Sequence, residues 1–158
     1  MFGSKMPFIH FSCRPPAKVC DREQSLTARD SAGAKPTGLW FSVGDGADWI
    51  TLCEKRHAEN GWCLDVLKYQ TEIVLSEYAK ILCLKTAEDI DTFTARYVLS
   101  SNGTTRSINW PLIATHFGGI IIAPFCVERC DCEQMRWYDY WECSCGCCLL
   151  YTSDAADE

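Results

Sequence analysis

The stretch Lys35-Pro36-Thr37-Gly38-Leu39-Trp40-Phe41-Ser42 (KPTGLWFS) predicts a turn followed by a short apolar strand. Gly38 has access to backbone angles that other residues avoid, and Pro36 favours an extended chain before it. Because side chains alternate along a strand, Trp40 and Ser42 share one face. An indole beside a hydroxyl suits the floor of a cleft that stacks a flat ring and hydrogen-bonds a polar edge. The alternative is an ordinary core strand whose tryptophan packs in the interior.

The size and composition of the chain predict one globular domain. Its 158 residues are enough to build a core, and 47% of them are hydrophobic. No apolar run has the length of a membrane span, and the N-terminus lacks the pattern of an export signal, so a cytoplasmic location is expected. The formal net charge of -6 argues against a general electrostatic grip on nucleic acid, which needs a basic face. The charge is still compatible with a nucleic-acid substrate that contacts the protein only at a small site.

The chain contains twelve cysteines, and their state has two interpretations. In a secreted chain this number would indicate disulfides. The missing export signal favours reduced thiols instead. Cys53 and Cys83 fall within a helical pattern and a strand pattern, where a cysteine behaves as a small buried apolar residue.

The late cysteines also suggest a structural zinc site. Such sites usually pair their ligands with two to four residues between them, so that the loop can wrap around the metal. The segments 130–132 and 143–147 have only one residue between successive cysteines, whereas Cys126 and Cys130 fit a wider pair. Zinc is therefore kept as an alternative, and no residue is assigned as a metal ligand.

Strand and helix patterns follow one another along the chain, which predicts a mixed α+β domain. A long polar loop is expected over residues 14–35. Helices are expected after Asp48, which can cap a first turn, after Thr86, where a capping box can form, and after Asn109, with Pro111 near the first turn. Besides the strand that carries Trp40, the pattern predicts strands over residues 7–13, 68–75, 79–85, 118–124 and 136–143.

Several polar residues could form a site for a ligand with a flat ring and a ribose. An imidazole can hydrogen-bond a sugar hydroxyl, an aromatic ring can stack on a base, and a carboxylate can stabilise positive charge at an anomeric carbon. The first two groups are available in His10 with Ser12, and in Trp40 with Ser42. The candidate carboxylates are Glu128, Glu133, Asp139 and Glu142.

The last eleven residues, CLLYTSDAADE at 148–158, resemble the translated product of a transposon-derived sequencing adapter. The resemblance implies that the natural sequence is truncated at about Cys147, as in a metagenomic fragment, and that a single domain spans residues 1–147. The alternative is a natural disordered acidic tail.

Three short segments resemble the ADP-ribosyltransferase fold: IHFS at 9–12, GLWFS at 38–42 and W-x-x-x-W-E at 137–142. Over nearly the whole of residues 7–147, the chain also resembles small uncharacterised phage and bacterial proteins that carry a KPxGLWxS motif. The fold resemblance implies a mixed or antiparallel split sheet with flanking helices. It also implies NAD as co-substrate and transfer of ADP-ribose to an unknown acceptor, a protein or a nucleic acid.

In the His-type branch of that fold, a first-strand histidine, a second-strand aromatic and a later glutamate cleave NAD. The resemblance implies that His10 positions the NAD ribose, that Trp40 packs against the nicotinamide and that Glu142 orients the acceptor, with Asp139 as second choice. Ser12 and Ser42 would support the amide or the strand edges. The rival hypothesis is a non-catalytic phage or bacterial interaction module, with inert or zinc-binding cysteines.

Overall fold

The protein is described by a computed structural model for residues 7–15, 33–101 and 104–149. These residues form one α+β domain built on a six-stranded mixed sheet and a separate two-stranded hairpin. The α+β class expected from the sequence is confirmed. Most of the loop expected over residues 14–35, and residues 150–158, lie outside the described residues.

The described strands are β1 (Phe8–Ser12), β2 (Leu39–Ser42), β3 (Tyr69–Ile73), β4 (Ile81–Leu84), β5 (Val98–Ser101), β6 (Thr104–Ile108), β7 (Gly119–Ile122) and β8 (Cys145–Cys148). The large sheet has the strand order β3-β1-β2-β8-β7-β4, in which β4 and β7 are parallel and the other neighbours are antiparallel. The hairpin consists of β5 and β6, which the sequence pattern did not predict.

The three predicted helices form where capping residues start them. The side chains of Asp48 and Asn109 accept hydrogen bonds from backbone amides of the first turn, and Thr86 with Asp89 makes a complete capping box. Gly61 ends the first helix in the left-handed conformation, with φ of 71°. In the described ranges, none of the helices is long and apolar enough to cross a membrane. The α-helices are α1 (Trp49–Asn60), α2 (Ala87–Tyr97) and α3 (Trp110–Ala114).

The strand expected over residues 136–143 is wrong. The chain there forms a short 3₁₀ turn at Tyr138–Tyr140, and another 3₁₀ turn precedes it at Glu133–Met135. The burial of Trp137, Tyr138 and Trp141 follows a helical spacing, while Tyr140 is 57% exposed. The aromatic composition suggested a strand, but the spacing of the buried rings favours a turn.

The last strand is β8, and it lies inside the sheet between β2 and β7. It includes Cys148, the first residue of the segment that resembles an adapter. Leu149 follows, 1% exposed, and its amide donates to the Gly118 carbonyl oxygen at 2.9 Å. The described fold therefore uses two residues beyond Cys147: Cys148 in β8, and Leu149 directly after it.

Cross-strand partners determine which side chains share a face of the sheet. Trp40 pairs with Cys147, and Cys147 pairs in turn with Ile120, so these three side chains lie together on the core face. On the opposite face Phe41 lies over Gly146, where a methyl group would collide with its ring. The core packs this part of the sheet against α2, α3 and the aromatic turns, and its largest fully buried members include Trp110, Trp137, Trp141, Tyr138, Ile90, Ile108 and Ile113.

Of the two cysteines expected to be buried, Cys53 is 0% exposed, as predicted. Cys83 is exposed, so that expectation is wrong. Cys83 pairs with Ile121 and therefore lies on the face away from the core. The eleven cysteines within the described ranges are free thiols.

Candidate functional site

A cleft of about 430 Å³ opens where β1 and β2 part. Within residues 8–12 and 39–42, which are fully described, Ile9 and Ser42 form the one ladder pair. Continuing that register would place Phe11 opposite Trp40, but the two strands line the cleft there instead of pairing. The volume lies within the range of about 300–1,000 Å³ that is usual for small-molecule sites.

His10 takes part in this separation of the strands. Its Nδ1 lies 2.7 Å from the carbonyl oxygen of Trp40, in place of a backbone donor from β1. Because a carbonyl oxygen only accepts, Nδ1 carries the hydrogen of this bond, and the neutral tautomer compatible with it has Nε2 as its acceptor. The imidazole is therefore held in one tautomer and one orientation at the cleft.

Four predicted site residues, His10, Ser12, Trp40 and Ser42, line this one cleft. These four side chains do not all lie on the same face of the sheet. Because Ile9 pairs with Ser42, the alternation on β1 places His10 and Ser12 on the other side of the sheet from Trp40. The parting of the strands is what brings both pairs to the same opening.

Trp40 has two close neighbours in the cleft. The ammonium of Lys35 lies 4.9 Å from the centre of its ring, which is a cation–π contact. The ring of Trp141 is 4.8 Å away and tilted by 59°. Trp141 also lines the cleft, and its buried Nε1–H has no acceptor among the described residues.

The two predicted serines already hold hydrogen bonds. Ser12 donates to the carbonyl oxygen of Arg14 at 2.7 Å, and Ser42 donates to the Asp48 carboxylate at 2.5 Å. Asp48 is 3% exposed and also accepts from the Gly44 amide and from both the amide and the hydroxyl of Thr51. Ser42 therefore joins β2 to the first turn of α1.

Glu142 does not line the cleft, although its neighbours Trp141 and Cys143 do. Its carboxylate accepts a hydrogen bond from the Arg56 guanidinium at 2.5 Å. Its backbone has φ of 63°, an unusual conformation for a residue with a side chain. The structure thus places the predicted carboxylate beside the cleft and turned towards α1.

Asp139, the second-choice carboxylate, is also absent from the cleft lining. One of its oxygens accepts from the Asp131 amide at 2.9 Å, and the other lies 3.4 Å from the Arg136 guanidinium. These bonds hold the turn that precedes β8, which indicates a structural role.

Three cysteines that the sequence analysis did not assign to this site also line the cleft: the exposed Cys13, and the buried Cys143 and Cys145. The Cys145 thiol hydrogen-bonds the Cys143 sulfur, and this bond is the largest cause of a lowered pKa for Cys143; the Lys35 charge acts in the same direction. The same bond, followed by burial, raises the pKa of Cys145. Burial also raises the pKa of Cys147, a strand neighbour that does not line the cleft.

A metal centre gains no support from the part of the chain that the structure describes. No group of three or more His, Cys, Asp or Glu side chains lies together there as metal ligands would. Burial is the largest cause of a raised pKa at both Cys126 and Cys130.

The sequence analysis missed Lys35, Trp141, Cys143 and Cys145 as cleft residues. Lys35 begins the KPTGLWFS stretch, so its nearness to Trp40 could have been suspected. The other three follow from the position of β8 and the turn before it, which the sequence pattern had misplaced. No protein-family model, curated protein or solved structure matches the chain.

Proposed function

We propose that this cleft binds NAD and that the protein is a mono-ADP-ribosyltransferase-like enzyme acting on an unknown protein or nucleic-acid acceptor. The observation that carries the proposal is the meeting of His10 and Trp40 at one cleft from two separate strands. An oriented imidazole and an indole face are the two groups that a nicotinamide riboside needs for placement.

The fixed tautomer of His10 supports this proposal. With Nδ1 donating to the Trp40 carbonyl oxygen, Nε2 accepts a hydrogen bond from a ribose hydroxyl. The sugar would then be held at a defined distance from the indole. Such placement before reaction is worth more to a transfer enzyme than tight binding alone.

The surroundings of Trp40 suit a positively charged flat ring. The Lys35 ammonium already lies over the indole, which shows that this surface attracts a cation. The nicotinamide ring of NAD is a cation and would take that place once Lys35 moves aside. The unsatisfied Trp141 Nε1–H offers a donor for the ligand's carboxamide oxygen.

Glu142 requires one rearrangement in this proposal. Its carboxylate must leave Arg56 and turn towards the cleft, which its two chain neighbours already line. Both partners are about one-third exposed, so their ion pair is a weak restraint of about 1 kcal/mol or less. The turned carboxylate would stabilise charge developing at the anomeric carbon.

The test is release of nicotinamide from NAD by the full chain, together with calorimetric titration of NAD. We expect His10→Ala and Glu142→Gln each to lower turnover by about a hundredfold, the usual cost of removing one group that stabilises the transition state. His57→Ala is the matched control, because its Nδ1 also bonds a tryptophan carbonyl oxygen, that of Trp62 at 2.7 Å, outside the cleft. A full chain that neither binds nor turns over NAD would refute the proposal.

The rival function, a non-catalytic interaction module, has one observation in its favour. Val74 and Tyr78, on the connection between β3 and β4, are 84% and 86% exposed. A contiguous patch of exposed apolar side chains marks a protein-binding surface, and these two side chains are the candidates for one. If NAD has no effect on the protein while Tyr78→Ser abolishes a protein contact, the interaction module is the better description.

A further inference from the structure

The thiols of Cys143 and Cys145 form a defined pair in the cleft. Both line it, and a single residue separates them along the chain. Ser144 between them is 0% exposed and fixed on two sides: its amide donates to the Ala47 carbonyl oxygen at 2.9 Å, and its hydroxyl oxygen accepts from the Phe125 amide at 2.9 Å. The backbone that carries the two thiols is therefore held in place.

The two thiols have different chemical characters. The hydrogen bond from Cys145 and the charge of Lys35 favour the Cys143 thiolate, whereas burial and the carboxylates of Glu142 and Asp48 oppose it. The net result is a lowered pKa for Cys143 and a raised pKa for Cys145. The thiolate form is favoured at Cys143 and the protonated form at Cys145; both side chains are buried, 4% and 6% exposed, so a disulfide reaches them only by entering the cleft.

The other cysteines near this pair do not favour the thiolate form. Cys53 on α1 interacts with Cys143, but its own pKa is raised to about 11, so it stays protonated at neutral pH. Cys147 further along β8 has a strongly raised pKa. Of the two paired thiols, Cys143 is the one whose pKa is lowered.

We propose that Cys143 and Cys145 are a thiol–disulfide exchange pair whose substrate is a small disulfide entering the cleft beside Trp40. The Cys143 thiolate attacks one sulfur of the disulfide, the substrate S–S bond breaks, and one substrate thiolate leaves. Cys145 then loses its proton to solvent and attacks the Cys143 sulfur. The Cys143–Cys145 bond forms as the second substrate thiolate leaves, so the protein dithiol is oxidised and the disulfide is reduced to two thiols.

This activity does not rest on NAD binding. It uses the thiol pair and Lys35, and it leaves His10 and Glu142 without a chemical role. Failure of NAD turnover would therefore leave the exchange reaction intact, and failure of exchange would leave the NAD proposal intact.

The first experiment measures the rate of modification of each cysteine in the wild-type full chain. The probe is an aromatic disulfide, dithiodipyridine, at pH 6, with quenched samples analysed by peptide mass spectrometry. An ordinary exposed thiol is less than about 1% ionised at that pH. We expect Cys143 to react about tenfold or more faster than exposed Cys83, and the product to be a Cys143–Cys145 disulfide. Equal rates at Cys143 and Cys83, or no Cys143–Cys145 bond, would overturn the proposal.

The second experiment separates the two roles. In Cys145→Ser the mixed disulfide should accumulate on Cys143, and in Cys143→Ser residue 145 should remain unmodified. Cys147→Ser is the control, because it removes a thiol of the same strand that does not line the cleft. If Cys147→Ser removes the exchange reaction as well, the assignment to this pair is wrong.

A third variant avoids any change in the buried strand. Lys35 is exposed, so Lys35→Gln should fold normally. Loss of its charge should slow modification of Cys143 several-fold at pH 6, while Lys80→Gln, a change at an exposed lysine outside the cleft, should not. An unchanged rate in Lys35→Gln would overturn the role of Lys35 in activating this pair.

Discussion

Gly38 shows how a single residue allows the sheet to close. Its backbone does not have a positive φ, unlike Gly44, Gly46 and Gly61. A methyl group at Gly38 would meet the Cys148 carbonyl oxygen and would lie 2.7 Å from the Cys147 sulfur. The glycine is therefore required because β8 approaches closely, and not because of the turn conformation that its sequence context suggested.

We predict that Gly38→Ala lowers the free energy of unfolding by about 1 to 3 kcal/mol, the usual cost of overpacking. The measurement is the urea concentration at the midpoint of unfolding, compared between variants that have the same m value. Gly118→Ala is the matched control. A methyl group there meets nothing within 4 Å, and Gly118 directly precedes β7, just as Gly38 directly precedes β2. That control should change the free energy by about 0.5 kcal/mol or less. Equal effects of the two changes would contradict this explanation.

At the scale of elements, the buried Asp48 carboxylate connects β2 to α1. It caps the helix and accepts the hydroxyl hydrogen of Ser42, which is itself 3% exposed. Removing the carboxylate would leave the Ser42 hydroxyl, the Gly44 amide and the Thr51 amide without their acceptor. The position of the cleft wall relative to α1 therefore depends on one side chain.

We predict that Asp48→Ala destabilises the fold by about 2 to 4 kcal/mol, because the loss of a cap adds to the cost of a buried unsatisfied donor. Thr86→Ala is the control: it removes the cap of α2, where the bonds are exposed, and should cost about 1 kcal/mol. Urea unfolding of both variants provides the comparison. The explanation fails if Asp48→Ala costs no more than Thr86→Ala.

For the whole molecule, β8 decides whether one sheet exists. In the described sheet it joins the group β3-β1-β2 to the pair β7-β4. It also carries Cys145 to the cleft and is preceded by Cys143 and Trp141. Both the sheet and the proposed sites therefore depend on the last described residues.

We predict that a chain ending at Ser144 loses cooperative unfolding, because the two parts of the sheet no longer have a shared strand. A chain ending at Leu149 keeps all six strands of the sheet and should unfold with the same midpoint as the full chain. Circular dichroism during thermal unfolding distinguishes the two. A cooperative transition in the shorter chain would show that β8 is dispensable.

The sequence determined those features that depend on neighbours along the chain. The caps at Asp48, Thr86 and Asn109 were predictable because a side chain there meets amides two or three residues away. Alternation likewise placed Trp40 beside Ser42 and His10 beside Ser12 on their strands. Local hydrogen bonds and the geometry of a strand need no knowledge of the rest of the molecule.

Only the tertiary structure decided which of these residues meet. The bond from His10 to the Trp40 carbonyl oxygen spans 30 positions, and the ion pair of Arg56 with Glu142 spans 86. The place of β8 at the centre of the sheet, and with it the cleft position of Cys143, depends on pairing between distant strands. Such pairing is set by packing of the whole core, because several strand orders satisfy the same local pattern of apolar and polar residues.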